Sequence, residues 1–361
     1  MKNNINNQFI PFHKIGQQAV IVVDGMLDRG LVLSHWKGAN TIEQIKADTS
    51  AEIVLKAIEK NTPGIELSNI TATHYDIDGF VGVWSLFNSE LAIQHKKLLV
   101  EIATIGDFRE INFDFTDWKK ALKIICWLDE TEKKFFYKPF DADNYSEENE
   151  IIACEKKFNY FLQHFTDVLL NTENYKAIWS KSFDVIVSEI EDLKENATIK
   201  IFPEIGLVHV KTNQPKSYYS LFTFTKNFDI VVTEYDTNRY ELEYKYTTWV
   251  DITSRPTLPR IDLSNLCDTL NKIEQSNYKW YCDKITDTGP ILRLENSDLS
   301  KAERFANPTE RTIYASSINS TDFINTITSF FIKSYKNISP KTNWTWNEIK
   351  DFNKKLSTNH E

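Results

Sequence analysis

The segment Ala19-Val20-Ile21-Val22-Val23 is apolar without interruption, and all but the first of its side chains branch at Cβ. Such a run has no polar face to offer water. It predicts a strand buried on both sides, as in the parallel sheets of α/β proteins. It stops at Asp24. A turn-like stretch, Gly25 to Gly30, leads to a second strand over Leu31-Val32-Leu33 that ends at Ser34-His35-Trp36. A third strand, Leu67 to Thr73, runs directly into His74. Between the second and third, Thr41 and Gln44 have capping-box spacing. Ile42, Ile45, Ile53, Val54, Ala57 and Ile58 fit helical periods on either side of a break at Asp48-Thr49-Ser50, with Pro63-Gly64 as the stop. A helix-like segment from Val81 to Leu86 follows, then a helix from Ser89 to Ile105 with Gly106 as its C-terminal cap, then an amphipathic helix from Thr116 to Glu130. This order predicts an α/β N-terminal lobe, residues 1–137, with a mixed, partly parallel sheet.

A chain of 361 residues is long enough for two domains. Lys138 to Asn144 reads as a linker, and residues 138–197 as a helical connecting segment. From 198 to 361 the pattern predicts an α+β second lobe. Its strands are expected at Ile201-Phe202, Leu207 to Val210, Tyr218 to Thr225, Asp229 to Glu234 and Tyr240 to Val250, joined by hairpin turns into an antiparallel meander. A helix from Asp262 to Glu274, a strand pair from Trp280 to Leu294, a helix from Thr321 to Lys333 and a short helix beyond Pro340 complete it. With 23 Phe, 15 Tyr and 9 Trp against 2 Met, the core should be built largely of flat rings.

The chemistry concentrates at His74-Tyr75-Asp76-Ile77-Asp78-Gly79. In an extended chain, residues two apart point the same way, so His74, Asp76 and Asp78 would face one point. Two carboxylates held there repel unless a cation lies between them, and a mixed nitrogen and oxygen set suits Mn²⁺ or Mg²⁺. Gly79 would keep the site clear of a side chain. Further ligands should come from other strand ends at the same sheet edge. His35 is the leading candidate, with a hydrogen-bonded structural histidine as the alternative. Asp107 and Asp24 are candidates too, against helix-capping or turn roles. If Gly25 to Gly30 closes a tight hairpin, Asp24 falls at the opposite edge and drops out. Asp and Gly at a strand end also make ordinary turns.

Other classes find less support. The net charge of −9 disfavours duplex nucleic acid and acidic lipid as partners. No segment approaches the ~20 apolar residues of a membrane span. Met1 to Asn7 lacks the apolar stretch of a signal peptide, which makes the cytoplasm the expected compartment. The four cysteines form no C-x-x-C pair, and Cys126 lies in an apolar run as core filling. There is no G-x-S-x-G elbow and no Walker or Rossmann glycine pattern. An EF-hand starting at His74 would need Glu where Ser85 stands. Trp249, Trp280 and Tyr246 read as core, because no basic stripe accompanies them. Arg255 and Arg260 flank Pro256 and Pro259, and their guanidinium forks are candidates to hold a phosphorylated substrate across a cleft between lobes, with surface ion pairs as the alternative.

The stretch from Thr73 to Gly79, followed by Val81-Gly82-Val83-Trp84-Ser85-Leu86, resembles the first motif of the DHH phosphoesterase superfamily. That resemblance implies a Mn²⁺-dependent phosphoesterase with His74, Asp76 and Asp78 as ligands and His35 as a possible equivalent of the family's central His. The chain departs from the pattern: Ser34-His35-Trp36 stands where the family has Asp-His-His, the motif order is reversed, and the glycine-rich substrate loop is absent. These departures imply as alternative a non-catalytic binding or scaffold protein on a degenerate phosphoesterase frame. Asp76-Ile77-Asp78-Gly79 also resembles the start of haloacid-dehalogenase-type phosphatases, which continue with Thr where Phe80 stands. The whole chain, including Arg239 to Tyr244 and Leu258 to Leu263, resembles an uncharacterised bacterial family of unknown function. The substrate expected on this reading is a small phosphorylated compound or nucleotide; the oligomeric state is left open.

Overall fold

Four short strands, β1 (Gln8–Phe9), β2 (Ile21–Val23), β3 (Leu31–Leu33) and β4 (Asn69–Ala72), form one sheet in the order β1-β4-β2-β3 in a computed structural model. The structure describes residues 7–136, 146–295, 299–300, 303–304 and 306–358. Every pairing in this sheet is parallel, and β2 lies between β4 and β3. Val20 to Val23 are buried completely or nearly so, as an uninterrupted apolar run requires.

The stretch from Gly25 to Gly30 is not a hairpin. Leu31 N donates to Val20 O and Asp24 N to Leu33 O, so the chain returns to the start of β2 and β3 runs alongside it in the same direction. The Thr41–Gln44 capping box does not form either. Thr41 Oγ1 instead donates to Ser34 O at 2.6 Å, and Glu43–Ile45 is a single 3-10 turn. Helix α1 (Ser50–Glu59) starts at the expected break, with Thr49 Oγ1 capping Glu52 N at 3.2 Å.

From β4 the chain passes through α2 (Ile77–Phe87), α3 (Ser89–Gln94), α4 (Lys96–Phe108) and α5 (Trp118–Phe135). Gly106 lies inside α4, whose cap is the left-handed Arg109 (φ 60°). A Cβ on Gly106 would come within 2.6 Å of Ile77, so the missing side chain serves close packing and not a turn. Helices α6 (Glu147–Leu170) and α7 (Lys176–Asn196) follow. Phe80, Phe158, Phe161 and Phe165 are fully buried, with Phe80 and Phe165 edge to face at 5.1 Å. The Lys138–Asn144 linker reading lies outside the described residues.

The chain divides into two units, Met1–Ser188 and Glu189–Glu361. The second is α+β. Its six strands, β5 (Thr198–Phe202), β6 (Leu207–Thr212), β7 (Ile230–Tyr235), β8 (Arg239–Tyr244), β9 (Lys279–Cys282) and β10 (Ile291–Glu295), pair in the order β5-β6-β7-β8-β10-β9. The segment expected as a strand from Tyr218 to Thr225 is helix α8 (Tyr218–Phe224), capped by Ser217. That crossover makes β6 and β7 parallel, so the sheet is mixed and the meander is interrupted there. Short aromatic runs cannot be told apart as helix or strand by period alone. Helix α9 (Ser264–Ile273) and two later helices, Ser320–Ser334 and Trp346–Thr358, bury Leu266, Leu270, Phe323, Ile327 and Phe331 in one core with β8 and β10. No helix among the described residues is long and apolar enough to cross a membrane.

Candidate metal centre

The strand order of the parallel sheet arranges the candidate ligands. Val23 pairs with Leu33 on one side and Ala72 on the other. Asp24 follows β2 immediately, while His35 and His74 lie two residues beyond β3 and β4. All three therefore leave the same carboxyl edge, where open α/β sheets collect ligands, and Asp24 stands between the two histidines. Its backbone is left-handed (φ 48°), a costly conformation for any residue with a Cβ, and one that clusters at functional sites. Asp24 Oδ1 accepts from Ser50 Oγ at 2.7 Å and lies 3.4 Å from His35 Nε2, whereas Oδ2 lies 3.5 Å from His74 Nε2.

His35 is fully buried, and its orientation is fixed from behind. Nδ1 lies 2.5 Å from the carbonyl of Asp48, which can only accept, so Nδ1 carries the proton. Nε2 then faces Asp24, Asp107 Oδ2 at 3.5 Å and Asp78 Oδ2 at 3.8 Å. Asp78, in the first turn of α2, also accepts from the first N–H groups of α1, Ser50 N at 2.7 Å and Ala51 N at 2.8 Å. Asp107 sits in the last turn of α4, where the helix dipole disfavours a carboxylate. The Oδ2 atoms of Asp24 and Asp107 are both buried and accept no hydrogen bond among the described residues.

The second histidine belongs to a more open set. His74 Nε2 lies 2.8 Å from Asp76 Oδ2, and Asp76 Oδ1 caps α2 by accepting from Gly79 N at 2.7 Å. The His74 side chain is 43% exposed and that of Asp76 30%. A Cβ on Gly79 would come within 3.0 Å of Asp76 Oδ1 and 3.2 Å of Asp24 Cβ, so this glycine admits the two carboxylates rather than turning the chain. Strand alternation does not align His74, Asp76 and Asp78, because β4 ends at Ala72 and α2 begins at Ile77. The heptapeptide instead splits across Asp24: Asp24, His35 and Asp78 form one potential cation set, and Asp24, His74 and Asp76 another, the ligand atoms of each lying within 4.8 Å of one another.

Four carboxylates and two imidazoles here leave an excess of negative charge. Burial favours neutral Asp24, but hydrogen bonds from His35 and Ser50 and the charge of His74 outweigh it, and its pKa falls to about 2. Burial lifts Asp78 to about 7 despite His35 nearby, and lifts Asp107 well above the usual carboxylate range. For His35, burial disfavours the cation, yet Asp24, Asp107 and Asp78 together push it up to about 10. His74 rises likewise to about 9, its desolvation outweighed together by the hydrogen bond and charge of Asp76 and the charges of Asp24 and Asp107. Repeated upward shifts of buried acids beside upward-shifted histidines are the pattern of a cluster short of positive charge. Oxygen and imidazole donors gathered in this way could hold a metal ion.

The structure thus brings together His35, His74, Asp24, Asp76, Asp78 and Asp107. Sequence reasoning missed the central place of Asp24, and it missed Ser50, which touches Asp24 through Oγ and Asp78 through its N–H. The helix break at Asp48-Thr49-Ser50 was the available signal. Arg255 and Arg260 belong to the second unit and are engaged there. Arg255 forks onto Asp229 at 2.9 and 2.6 Å. Arg260, fully buried, donates to Thr248 Oγ1 and to the carbonyls of Ile285, Asp287 and Thr288. Its guanidinium clamps a loop of that unit.

No curated protein matches this chain. Residues 5–342 match a family of unknown function, DUF6687, and the chain belongs to that family.

Proposed function

We propose that this member of DUF6687 is a metal-dependent hydrolase of the phosphoesterase kind, acting on a small phosphorylated substrate, with Asp24 shared between two divalent-cation positions. The observation that carries the reading is the division of the Asp24 carboxylate, one oxygen toward His35 and the other toward His74. The buried Oδ2 atoms of Asp24 and Asp107, which accept no hydrogen bond among the described residues and lie 3.5 Å from His74 and His35 Nε2 respectively, support it, since buried carboxylate oxygens are costly without full compensation. The likeness of Thr73 to Gly79 to the first DHH motif supports the phosphoester class. When bound, a pair of Mn²⁺ or Mg²⁺ ions would supply Lewis acidity to both the attacking and the leaving oxygen of an in-line displacement. His35, held in one tautomer by Asp48, and Asp78, held by the α1 N-terminus, would form the rigid inner wall. His74 and Asp76, more exposed, would lie on the side open to substrate, with Trp36 against the His74 ring at 5.6 Å between centroids.

A non-catalytic reading draws on one observation: both Asp78 oxygens already accept backbone N–H groups of α1, which is a sufficient structural role. Each oxygen has a second lone pair, so this does not preclude ligation. The test is hydrolysis of p-nitrophenyl phosphate and its bis ester by Mn²⁺-loaded protein, beside Asp24→Asn. Turnover in the wild type with loss in the variant is expected. Metal retention without turnover of any phosphoester would favour the binding protein.

A further inference from the structure

Two of the four cysteines meet in the second unit. Cys267 lies in α9 and Cys282 ends β9, and the segment 274–278 turns the chain back between them. Asn271 fixes the register of helix against strand: its Nδ2 donates to Trp280 O at 3.0 Å, and its Oδ1 accepts from Trp280 N at 2.8 Å. Cys267 is one helical turn before Asn271, about 6 Å along the axis. Cys282 is two residues beyond Trp280, on the same face of the strand and about 7 Å along it. Because helix and strand run in opposite senses, these two steps proceed side by side. That register sets the two thiols on facing sides of the helix–strand contact, Cys267 buried and Cys282 half-buried. Cys267 belongs to the buried core and Cys282, partly buried, packs against it.

We propose that Cys267 and Cys282 are a reversible dithiol–disulfide pair that ties α9 to β9 when the protein meets a peroxide. Cys282, the more accessible of the two, is the attacking sulfur. It displaces hydroxide from the peroxide as the O–O bond breaks, and becomes a sulfenic acid. The Cys267 sulfur then attacks that sulfur, the S–S bond forms, and a second water leaves with the thiol protons. The two electrons lost by sulfur reduce one peroxide to two waters. An external thiol reverses the bond by exchange. Cys126 and Cys154 belong to the first unit, and burial raises the pKa of both, Cys154 to about 12, which keeps them as unreactive thiols.

The test is peptide mapping of the full chain after hydrogen peroxide, acid quench and alkylation. The expected product is a Cys267–Cys282 linked peptide lighter by two hydrogens, with alkylatable thiols falling from the four of the sequence to two and returning with dithiothreitol. The melting transition of the oxidised protein should rise by roughly 5 °C, as a closed loop restricts the unfolded chain. In Cys282→Ser, Cys267 should remain alkylatable. Wild-type protein in which both thiols stay alkylatable, or in which Cys282 is oxidised without linking to Cys267, overturns the proposal. Since the mapping is read on wild type, it does not depend on how the variant folds.

Discussion

His35 and Asp48 are joined by a 2.5 Å contact between imidazole Nδ1 and a main-chain carbonyl, and that contact determines what the other ring nitrogen offers. Nε2 faces a pocket of buried carboxylates, protonated in the metal-free protein and able to give its lone pair to a cation once that proton leaves, and it is held in place without any side chain that a substitution could remove. His35→Gln keeps a polar group but loses that donor. Calorimetric titration with Mn²⁺ should show the tighter event weakened about a hundredfold. His74→Ala should weaken only the event made by the more exposed set.

The pKa pattern predicts how the metal-free protein responds to pH. His35 is raised from 6.5 to about 10 on folding, so its stabilisation is fully present below pH 6.5 and is lost as pH climbs toward 10. Asp78, raised from 3.8 to about 7, acts in the same direction between those two values. Asp24, lowered to about 2, acts oppositely, and its contribution is lost as pH falls from 3.8 toward 2. Thermal melts of chelator-treated protein should therefore fall steadily from pH 6.5 to 10. Added Mn²⁺ should flatten that slope, and should release protons on binding. A metal-free melt that rises over this range would contradict the assigned charges.

Gly106 faces Ile77 within α4, and a methyl there would approach to 2.6 Å. Gly106→Ala should destabilise the first unit by about 1–3 kcal/mol through overpacking, only partly offset by a gain in helix propensity of about 1 kcal/mol. A shift of the urea midpoint measures it. Because Asp107 follows directly, metal affinity should fall as well.

Among the described residues, the Arg260 guanidinium bonds to Thr248 and to three carbonyls of its own unit. Arg260→Met should therefore cost about 3 kcal/mol of stability, by leaving buried acceptors unpaired. Metal content per folded molecule should be unchanged. A substrate-binding arginine would show the reverse, an altered KM at unaltered stability.

The apolar run at Val20 to Val23 and the polar ends of the next two strands were legible because burial on both faces leaves a strong local pattern. The heptapeptide was legible as chemistry for the same reason, since clustered His and Asp have few neutral explanations. What could not be read was the direction of β3. A short connection normally means a hairpin, and only tertiary hydrogen bonds, Leu31 N to Val20 O among them, reveal that this one returns to make a parallel pair. The place of Asp24 turned on that direction. Ser50 and Asp107 reach the centre from helix ends far along the chain, and no local pattern records which helix terminus meets which strand. Gly106 looked like a cap because a glycine near a helix end usually is one, and the close approach of Ile77 leaves no trace in the sequence around it.

The shared carboxylate is most directly tested by counting metal. Purified protein dialysed against Mn²⁺ and analysed by mass spectrometry of the metal should carry two ions per chain, one for each set that includes Asp24. Asp24→Ala, confirmed folded by circular dichroism, should lose both together. Equal metal content in wild type and Asp24→Ala would contradict the account.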